Sequence, residues 1–146
     1  MGELSLGQKA SISKTISEQD VFQFADLVED HNPIHIDKKF AKNSIFGKKI
    51  VHGMFGSSLI SAVLGTKLPG PGAIYLSQTL QFLAPIFIGD TITAEVEVIK
   101  IRNDMDSIER LSSTSSNVIT HPKKRLKSVK MLGIILINKI ESSLLI

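Results

Sequence analysis

Residues 53–64 read GMFGSSLISAVL, a stretch without a single charged side chain. Glycine opens it, and apolar or small residues occupy the remaining positions. A helix that lacks a charged face is normally buried on all sides. The sequence therefore predicts a central helix over Met54–Leu64 that ends at Gly65, and the other elements are expected to surround it.

Two elements are expected before the central helix. Residues 9–16 alternate roughly between polar and apolar side chains and predict a first strand. Ser17 followed by Asp20 is a capping pattern for a helix with an apolar face. That helix is expected to end near His31, because Pro33 disfavours helical backbone at the residue before it. A lysine-containing loop then leads to the central helix.

Four strands are expected after the central helix, behind a Pro/Gly-rich loop at 68–72. They are assigned to residues 73–83, 91–101, 108–120 and 126–140. The second of them alternates strictly between apolar and polar residues, which is typical of an antiparallel sheet with one covered face. The whole pattern predicts a single α+β domain over residues 1–146, with an antiparallel sheet wrapped around the central helix.

The composition narrows the functional classes. The chain has 146 residues, 42% of them apolar and 21% charged, as expected for one globular domain. It contains no cysteine, which excludes disulfides, thiolate metal sites and a cysteine nucleophile. With a net charge of +3, one tyrosine and no tryptophan, nucleic acid is not an expected partner. The longest apolar run, Met131–Ile137, is too short for a membrane helix and the N-terminus lacks a signal-peptide pattern, so a cytoplasmic protein without membrane contact is expected.

Asp30 and His35 are the leading candidates for catalysis. Asp30 lies at the C-terminal end of the first predicted helix, where a carboxylate opposes the helix dipole and is not placed for stability. The turn at Pro33 can bring Asp30 and His35 to one point, where they would hold and deprotonate a water molecule near neutral pH. The alternative is that Asp30 bonds the backbone of the turn and His35 is an ordinary loop residue.

A longer pattern surrounds this pair. Residues 30–41 contain Asp-x-Asn-Pro-Ile-His followed by five residues and an alanine, residues 46–54 read FGKKIVHGM, and residues 68–75 read LPGPGAIY. The pattern continues at Gln81-Phe82, Pro85 and Gly89-Asp90. In their order and separation, these motifs resemble the MaoC-like family of R-specific enoyl-CoA hydratases over about residues 5–104.

The resemblance implies a hot-dog fold, assembled as a homodimer, and the reversible hydration of trans-2-enoyl-CoA to (R)-3-hydroxyacyl-CoA. Asp30 and His35 match the family's catalytic pair. Gly53 matches the donor of its oxyanion hole, and Ser61 and Leu64 match positions that face the acyl group. The implied substrate is an acyl-CoA, and neither a metal nor another cofactor is expected.

Several positions also have plainer interpretations. Gly53 suits a helix entry that only redirects the chain, and Ser61 and Leu64 suit plain core packing. His52 is expected to fix its loop through a ring hydrogen bond rather than to catalyse. The basic run Lys123–Lys127 suits either the phosphates of coenzyme A or a solvated turn.

The resemblance is strong for about residues 5–104 and weak for 109–146. A polar run, SSTSSN at Ser112–Asn117, stands where the relatives have a strand of alternating apolar residues. Two other functions therefore stay open. One is a hot-dog thioesterase, which hydrolyses the same class of thioester. The other is a non-catalytic subunit that binds acyl thioesters without turnover.

Overall fold

The structure is a computed structural model that describes residues 4–75 and 78–101, together with the backbone of 110–121 and 127–137. Its elements in chain order are β1 (Lys9–Thr15), α1 (Glu18–Val28), α2 (Pro33–Ile36), α3 (Lys38–Lys42), α4 (Gly53–Thr66), β2 (Thr79–Gln81), β3 (Thr91–Ile101), β4 (Arg110–His121) and β5 (Lys127–Ile137). The strands form one antiparallel sheet in the order β1-β3-β4-β5-β2. Helix α4 packs against β3, β1 and β4. An antiparallel sheet around a central helix is the α+β, hot-dog arrangement that was expected.

Strand β3 supplies much of the sheet's contribution to the core. Its bounds are those predicted, and its alternation has the predicted consequence. The buried side chains on its inner face are Ile92, Ala94, Val96 and Val98, each at most 1% exposed. They form one cluster with Ile60, Val63 and other buried side chains of α4. Burying apolar surface on both sides of this contact is what holds the helix against the sheet.

The capping pattern at Ser17 forms as predicted. The Ser17 hydroxyl accepts a hydrogen bond from the Asp20 N–H at 3.1 Å, and Asp20 Oδ2 accepts one from the Ser17 N–H at 2.8 Å. A hydrogen bond from Lys14 and those from Ser17 lower the pKa of Asp20 to about 2. The helix ends at Val28, before the predicted end near His31, because Glu29 adopts left-handed backbone with φ 59°.

The loop expected after Pro33 contains two short helices instead. Asn32 caps α2, because its side chain accepts from the Ile34 N–H at 3.2 Å, and proline occupies the first helical position. Asp37 caps α3 by accepting from the Phe40 N–H at 2.8 Å. Both helices span one turn or little more, which is too short for a hydrophobic period to show in the sequence.

Helix α4 begins at Gly53 as predicted but runs past Gly65 to Thr66. It is also not buried on all sides, because a stripe at helical spacing is exposed; it comprises Met54, Ser58, Ser61 and Gly65. The hydroxyl group of a serine in a helix can donate a hydrogen bond to a backbone carbonyl of the preceding turn. The Ser58 hydroxyl does so to the Phe55 carbonyl oxygen at 2.7 Å. None of the helices in the described residues, α4 included, is long and apolar enough to cross a membrane.

The strand predicted at 73–83 is shorter than expected. Only Thr79–Gln81 pairs, with β5, and residues 76–77 lie outside the described part. The proline and glycine residues before it leave little regular extended backbone to pair. The two last predicted strands are confirmed: β4 pairs with β3 through the polar run Ser112–Asn117, and β5 pairs with β4. Most of the basic run Lys123–Lys127 lies outside the described residues, so its predicted role is not tested.

Candidate active site

Asp30 occupies the short connection between α1 and α2. Its Oδ1 accepts a hydrogen bond from the Asn32 N–H at 3.2 Å, as the plainer interpretation of this residue expects. Its Oδ2 lies 3.9 Å from Nε2 of His52, and about half of the side chain is exposed. One carboxylate oxygen of Asp30 therefore binds the backbone N–H of Asn32, and the other lies near the ring of His52.

Helix α2 carries His35, which is partly buried. Its Nδ1 lies 2.8 Å from the Ile50 carbonyl oxygen. Because a carbonyl only accepts, Nδ1 carries the proton, and in the neutral ring Nε2 is a free acceptor. Burial lowers the pKa of His35 below its usual 6.5, the nearby His52 lowers it further, and the Ile50 carbonyl and the Asp30 carboxylate oppose the shift. The site therefore favours a neutral His35 that is ready to accept a proton.

The ring of His52 lies behind this pair and is 2% exposed. Its Nε2 donates to the Asp30 carbonyl oxygen at 3.0 Å, which confirms the predicted ring hydrogen bond. Its ring stacks on that of His35 with centroids 3.8 Å apart and planes 29° apart, and Phe24 packs beside it at 5.2 Å. Asp30, His35 and His52 form one cluster, in which an Asp30 carboxylate oxygen and a ring nitrogen of each histidine lie within 4.8 Å of one another.

Gly53 is the first residue of α4 and lines the cavity beside His35. Its N–H is among the first four of the helix, which have no partner within it, and it lies at the positive end of the helix dipole. A Cβ at this position would lie 2.8 Å from Cε1 of Phe82. Glycine therefore allows the Phe82 ring to approach the helix start closely.

The cavity at this end of α4 has a volume of about 430 Å³ and a largely apolar lining. Its lining residues are His35, Phe46, Ile50, Val51, Gly53, Met54, Phe82, Leu83, Ala84, Pro85 and Ile86. A few polar groups in an apolar hollow is the usual form of a small-molecule site. The sequence did not identify this apolar wall, although Phe46, Phe82 and Pro85 belong to the motifs that carry the resemblance.

The structure brings together three of the five predicted site residues. Asp30 and His35 lie side by side, and His35 and Gly53 share the cavity, although Asp30 is not part of its lining. Ser61 and Leu64 lie about 12 and 16 Å further along α4 at 1.5 Å per residue. Ser61 is exposed, Leu64 is buried in the core cluster, and neither lines the cavity. Their role toward an acyl group stays a prediction.

The cluster of Asp30, His35 and His52 holds donor types that metal ions use. Its geometry does not suit one ion, however. Stacked imidazole rings direct their in-plane lone pairs side by side rather than toward one point. The arrangement instead suits proton transfer, because a neutral imidazole lines the cavity, a carboxylate lies beside it, and the helix start at Gly53 lines the same cavity.

Comparison with known proteins supplies a family. The family model described as MaoC like domain matches residues 4–120. The (R)-specific enoyl-CoA hydratase of Rhodospirillum rubrum is 53% identical over 96 residues, which cover 66% of this chain and 67% of that protein. The protein of the same name from Aeromonas caviae is 52% identical over 101 residues, covering 69% of this chain and 75% of that protein.

The fold agrees with solved structures of the same family. The (R)-hydratase from A. caviae involved in PHA biosynthesis superposes with a TM-score of 0.81 at 40% identity, covering 93% of this chain and 99% of that one. The R-hydratase PhaJ1 from Pseudomonas aeruginosa gives a TM-score of 0.79 at 34% identity, covering 93% and 84%. In both sequence and fold, this chain belongs to the MaoC-like domain family.

Proposed function

We propose that this protein is an R-specific enoyl-CoA hydratase, a hydro-lyase that adds water reversibly to trans-2-enoyl-CoA and yields (R)-3-hydroxyacyl-CoA. The observation that carries the proposal is the position of the Asp30 carboxylate beside the neutral imidazole of His35, next to a cavity that the helix start at Gly53 also lines. Relatives at 50–53% identity named (R)-specific enoyl-CoA hydratase and 3-hydroxybutyryl-CoA dehydratase support the same chemistry.

The proposed reaction needs two groups that handle protons. An Asp30 oxygen and a His35 nitrogen within 4.8 Å of each other are close enough for one water to reach both at hydrogen-bond distance. The pair takes a proton from this water as its oxygen bonds to C3 of the enoyl group. The same proton is then delivered to C2, so that the elements of one water are added and none is left over.

The third need is a place for negative charge. As water adds to C3, the thioester oxygen gains enolate character, and a hydrogen-bond donor aimed at it lowers the barrier. The N–H of Gly53 is our candidate for this donor, because it lies at the first turn of α4 and beside the same cavity as His35. These steps use no metal or organic cofactor, and activity that survives extensive dialysis against a chelator would support that part of the proposal.

Assembly as a homodimer is part of the proposal. Three residues of the cavity wall, Met54, Phe82 and Leu83, are each at least 50% exposed in the single chain. Exposed apolar side chains grouped in this way are characteristic of an interface. Light scattering of the purified protein should give twice the mass of one chain.

The acyl-facing roles of Ser61 and Leu64 stay predictions. A cytoplasmic location also stays a prediction, and cell fractionation tests it.

The decisive experiment is an assay with crotonyl-CoA. Loss of the conjugated enoyl absorbance without release of free thiol, and an (R) configuration of the 3-hydroxybutyryl product, are the expected results. Release of thiol would instead indicate a thioesterase, and saturable binding without turnover would indicate a binding subunit. A parallel assay with crotonyl-acyl-carrier protein tests the carrier, since a 40% identical relative from Solanum lycopersicum is named as a 3-hydroxyacyl-[acyl-carrier-protein] dehydratase.

A further inference from the structure

His52 has no role of its own in the proposed reaction, yet it contacts all three residues that have one. It donates to the Asp30 carbonyl at 3.0 Å, it stacks on His35 at 3.8 Å, and its own carboxyl group forms the peptide bond to Gly53. The bond to Asp30 joins residues 22 positions apart in the chain. It ties the connection after α1 directly to the start of α4.

The hydrogen bonds determine which nitrogen of His52 carries the proton. The Asp30 carbonyl only accepts, so Nε2 must donate. Nδ1 is buried and has no hydrogen-bond partner among the described residues, so a proton placed there would be unsatisfied. Of the two tautomers of the ring, the one with the proton on Nε2 is therefore the one that fits.

The unpaired Nδ1 is a cost of placing a histidine at this position. A buried polar atom without a partner lowers the stability of the folded state. An apolar side chain at this position would avoid the unpaired nitrogen but would leave the Asp30 carbonyl without the His52 donor. A histidine here is explained if the Nε2 hydrogen bond has a use.

We propose that His52 is a positioning residue for the hydration reaction: its Nε2–H holds the main chain of Asp30, and its ring backs that of His35, so that both side chains keep their alignment with the N–H of Gly53. The inference rests on the proposed function. Misplacing a reacting group by about 1 Å can lower the rate about 10²-fold, so a residue that prevents such a shift affects kcat without touching the substrate.

Three substitutions of His52 separate the hydrogen bond from mere packing. Glutamine carries an N–H donor at the position of Nε2, asparagine carries one only at the position of Nδ1, and leucine carries none. We expect His52→Gln to keep kcat within about threefold of the wild type. His52→Asn and His52→Leu should each lower kcat by about tenfold or more while KM changes by less than about threefold. His31→Gln, which changes an exposed histidine paired with Asp26, is the matched control and should leave kcat unchanged.

The ranking of these variants by kcat decides whether the inference holds. If the glutamine variant loses as much kcat as the asparagine variant, or if the leucine variant keeps wild-type kcat, the positioning role is wrong. A rise in KM at constant kcat would also contradict it. Circular dichroism and thermal melting of each variant check that a loss is not unfolding.

A measurement on the unchanged protein keeps the inference testable even if the variants do not fold. Nitrogen-15 shifts of the histidine rings at about pH 7.5 report which nitrogen is protonated. The chain has four histidines, so assignment is practical. We expect Nε2 of His52 to carry a proton, and a ring protonated on Nδ1 alone, which cannot donate to the Asp30 carbonyl, would overturn the inference. A wild-type protein that does not hydrate crotonyl-CoA would instead overturn the proposed function, and the shifts would still report whether His52 holds Asp30.

Discussion

The first turn of α4 and its later turns have opposite relations to the cavity. Gly53 and Met54 line it, and His52 before them contacts both members of the proposed catalytic pair. Leu64, three turns later, is 2% exposed and belongs to the core cluster, while Ser61 faces outward. One charge-free stretch of sequence therefore forms an end that lines the cavity and a body that packs in the core.

The difference follows from the helix backbone. Only the first four N–H groups of a helix have no partner within it, so only the first turn can offer a backbone donor to a ligand. Later N–H groups bond to the carbonyl four residues before, and what those residues contribute is the packing of their side chains. Substitutions at the two ends should therefore differ in kind: activity should respond at the first turn, and stability should respond in the body.

The largest expected effect is on the pair beside the first turn. Asp30→Asn and His35→Gln should each lower kcat by about 10²–10⁴, with a smaller change in KM, because each removes a group that transfers a proton. The double variant should be little worse than either single one, because the two side chains act as a unit. Steady-state kinetics with crotonyl-CoA measures all three.

His31→Gln is the control for these variants, because this exposed histidine is adjacent in sequence and pairs with Asp26 instead. Near wild-type turnover of Asp30→Asn would contradict the mechanism. Strictly additive effects of the two substitutions would show that the groups act at separate steps.

The next effect concerns the body of α4. Leu64→Ala should lower the free energy of unfolding by about 2–5 kcal/mol, because it leaves a cavity in the core. Met54→Ala on the same helix should cost less, because Met54 is 50% exposed. Urea unfolding followed by circular dichroism compares the two.

Leu64→Ala also tests the acyl-facing role that the resemblance implies. If Leu64 limits acyl length, this variant should gain activity on longer enoyl-CoAs relative to crotonyl-CoA. An unchanged profile in a folded Leu64→Ala protein would leave Leu64 as a core residue only.

A smaller effect separates two glycines of α4. A Cβ at residue 53 would lie 2.8 Å from the Phe82 ring, whereas a Cβ at residue 65 would meet nothing within 4 Å. Phe82 is half exposed and can swing aside, but it then displaces the cavity wall beside the reacting groups. Gly53→Ala should therefore lower kcat/KM by about tenfold. Gly65→Ala should leave kcat/KM unchanged and raise stability by about 0.4–1 kcal/mol, since alanine suits a helix better.

Equal kinetics for the two alanine variants would show that the close approach of Phe82 to Gly53 has no part in the reaction. Loss of stability in Gly65→Ala would contradict the placement of Gly65 inside the helix.

The elements that the sequence predicted well are those marked by local sequence patterns. Strand β3 has a strict alternation, α1 has a capping box, and the start of α4 has a charge-free run after a glycine. Each of these patterns acts over a few neighbouring residues. The nearness of Asp30 and His35 was one of two interpretations that their spacing allowed, and it forms because helix α2, which begins at Pro33, carries His35 beside Asp30.

What the sequence did not predict depends on contacts between distant segments. The apolar wall of the cavity joins Phe46 and Ile50 to Phe82 and Leu83, which come from two separate loops. No periodic pattern marks such loops. The exposed stripe of α4 was missed for a related reason: Ser58 and Ser61 read as buried small residues until the position of the sheet is known.

The smallest expected effect is on the pH dependence of the first-turn site. Burial lowers the pKa of His35, the neighbouring His52 adds to the shift, and the Asp30 carboxylate opposes it. Because the neutral ring is the form that accepts a proton, the acidic limb of kcat/KM should have its midpoint below pH 6.5. A midpoint above 6.5 would mean that another group controls this limb. Proton NMR titration of the His35 ring gives the same quantity directly, and in Asp30→Asn it should move lower still, because the opposing carboxylate charge is gone.

The lowered pKa of His35 also makes the free energy of unfolding depend on pH. Well above pH 6.5, His35 is neutral in both the folded and the unfolded chain, and its protonation does not affect the balance between them. As the pH falls below 6.5, the unfolded chain binds a proton at this position before the folded protein does, so acidification favours unfolding until the folded pKa is passed. The free energy of unfolding of the wild type should therefore decline over this interval, and that of His35→Gln should decline less. Urea titrations of both proteins at several pH values measure the difference. An equal decline in the two would show that the acid sensitivity lies elsewhere in the molecule.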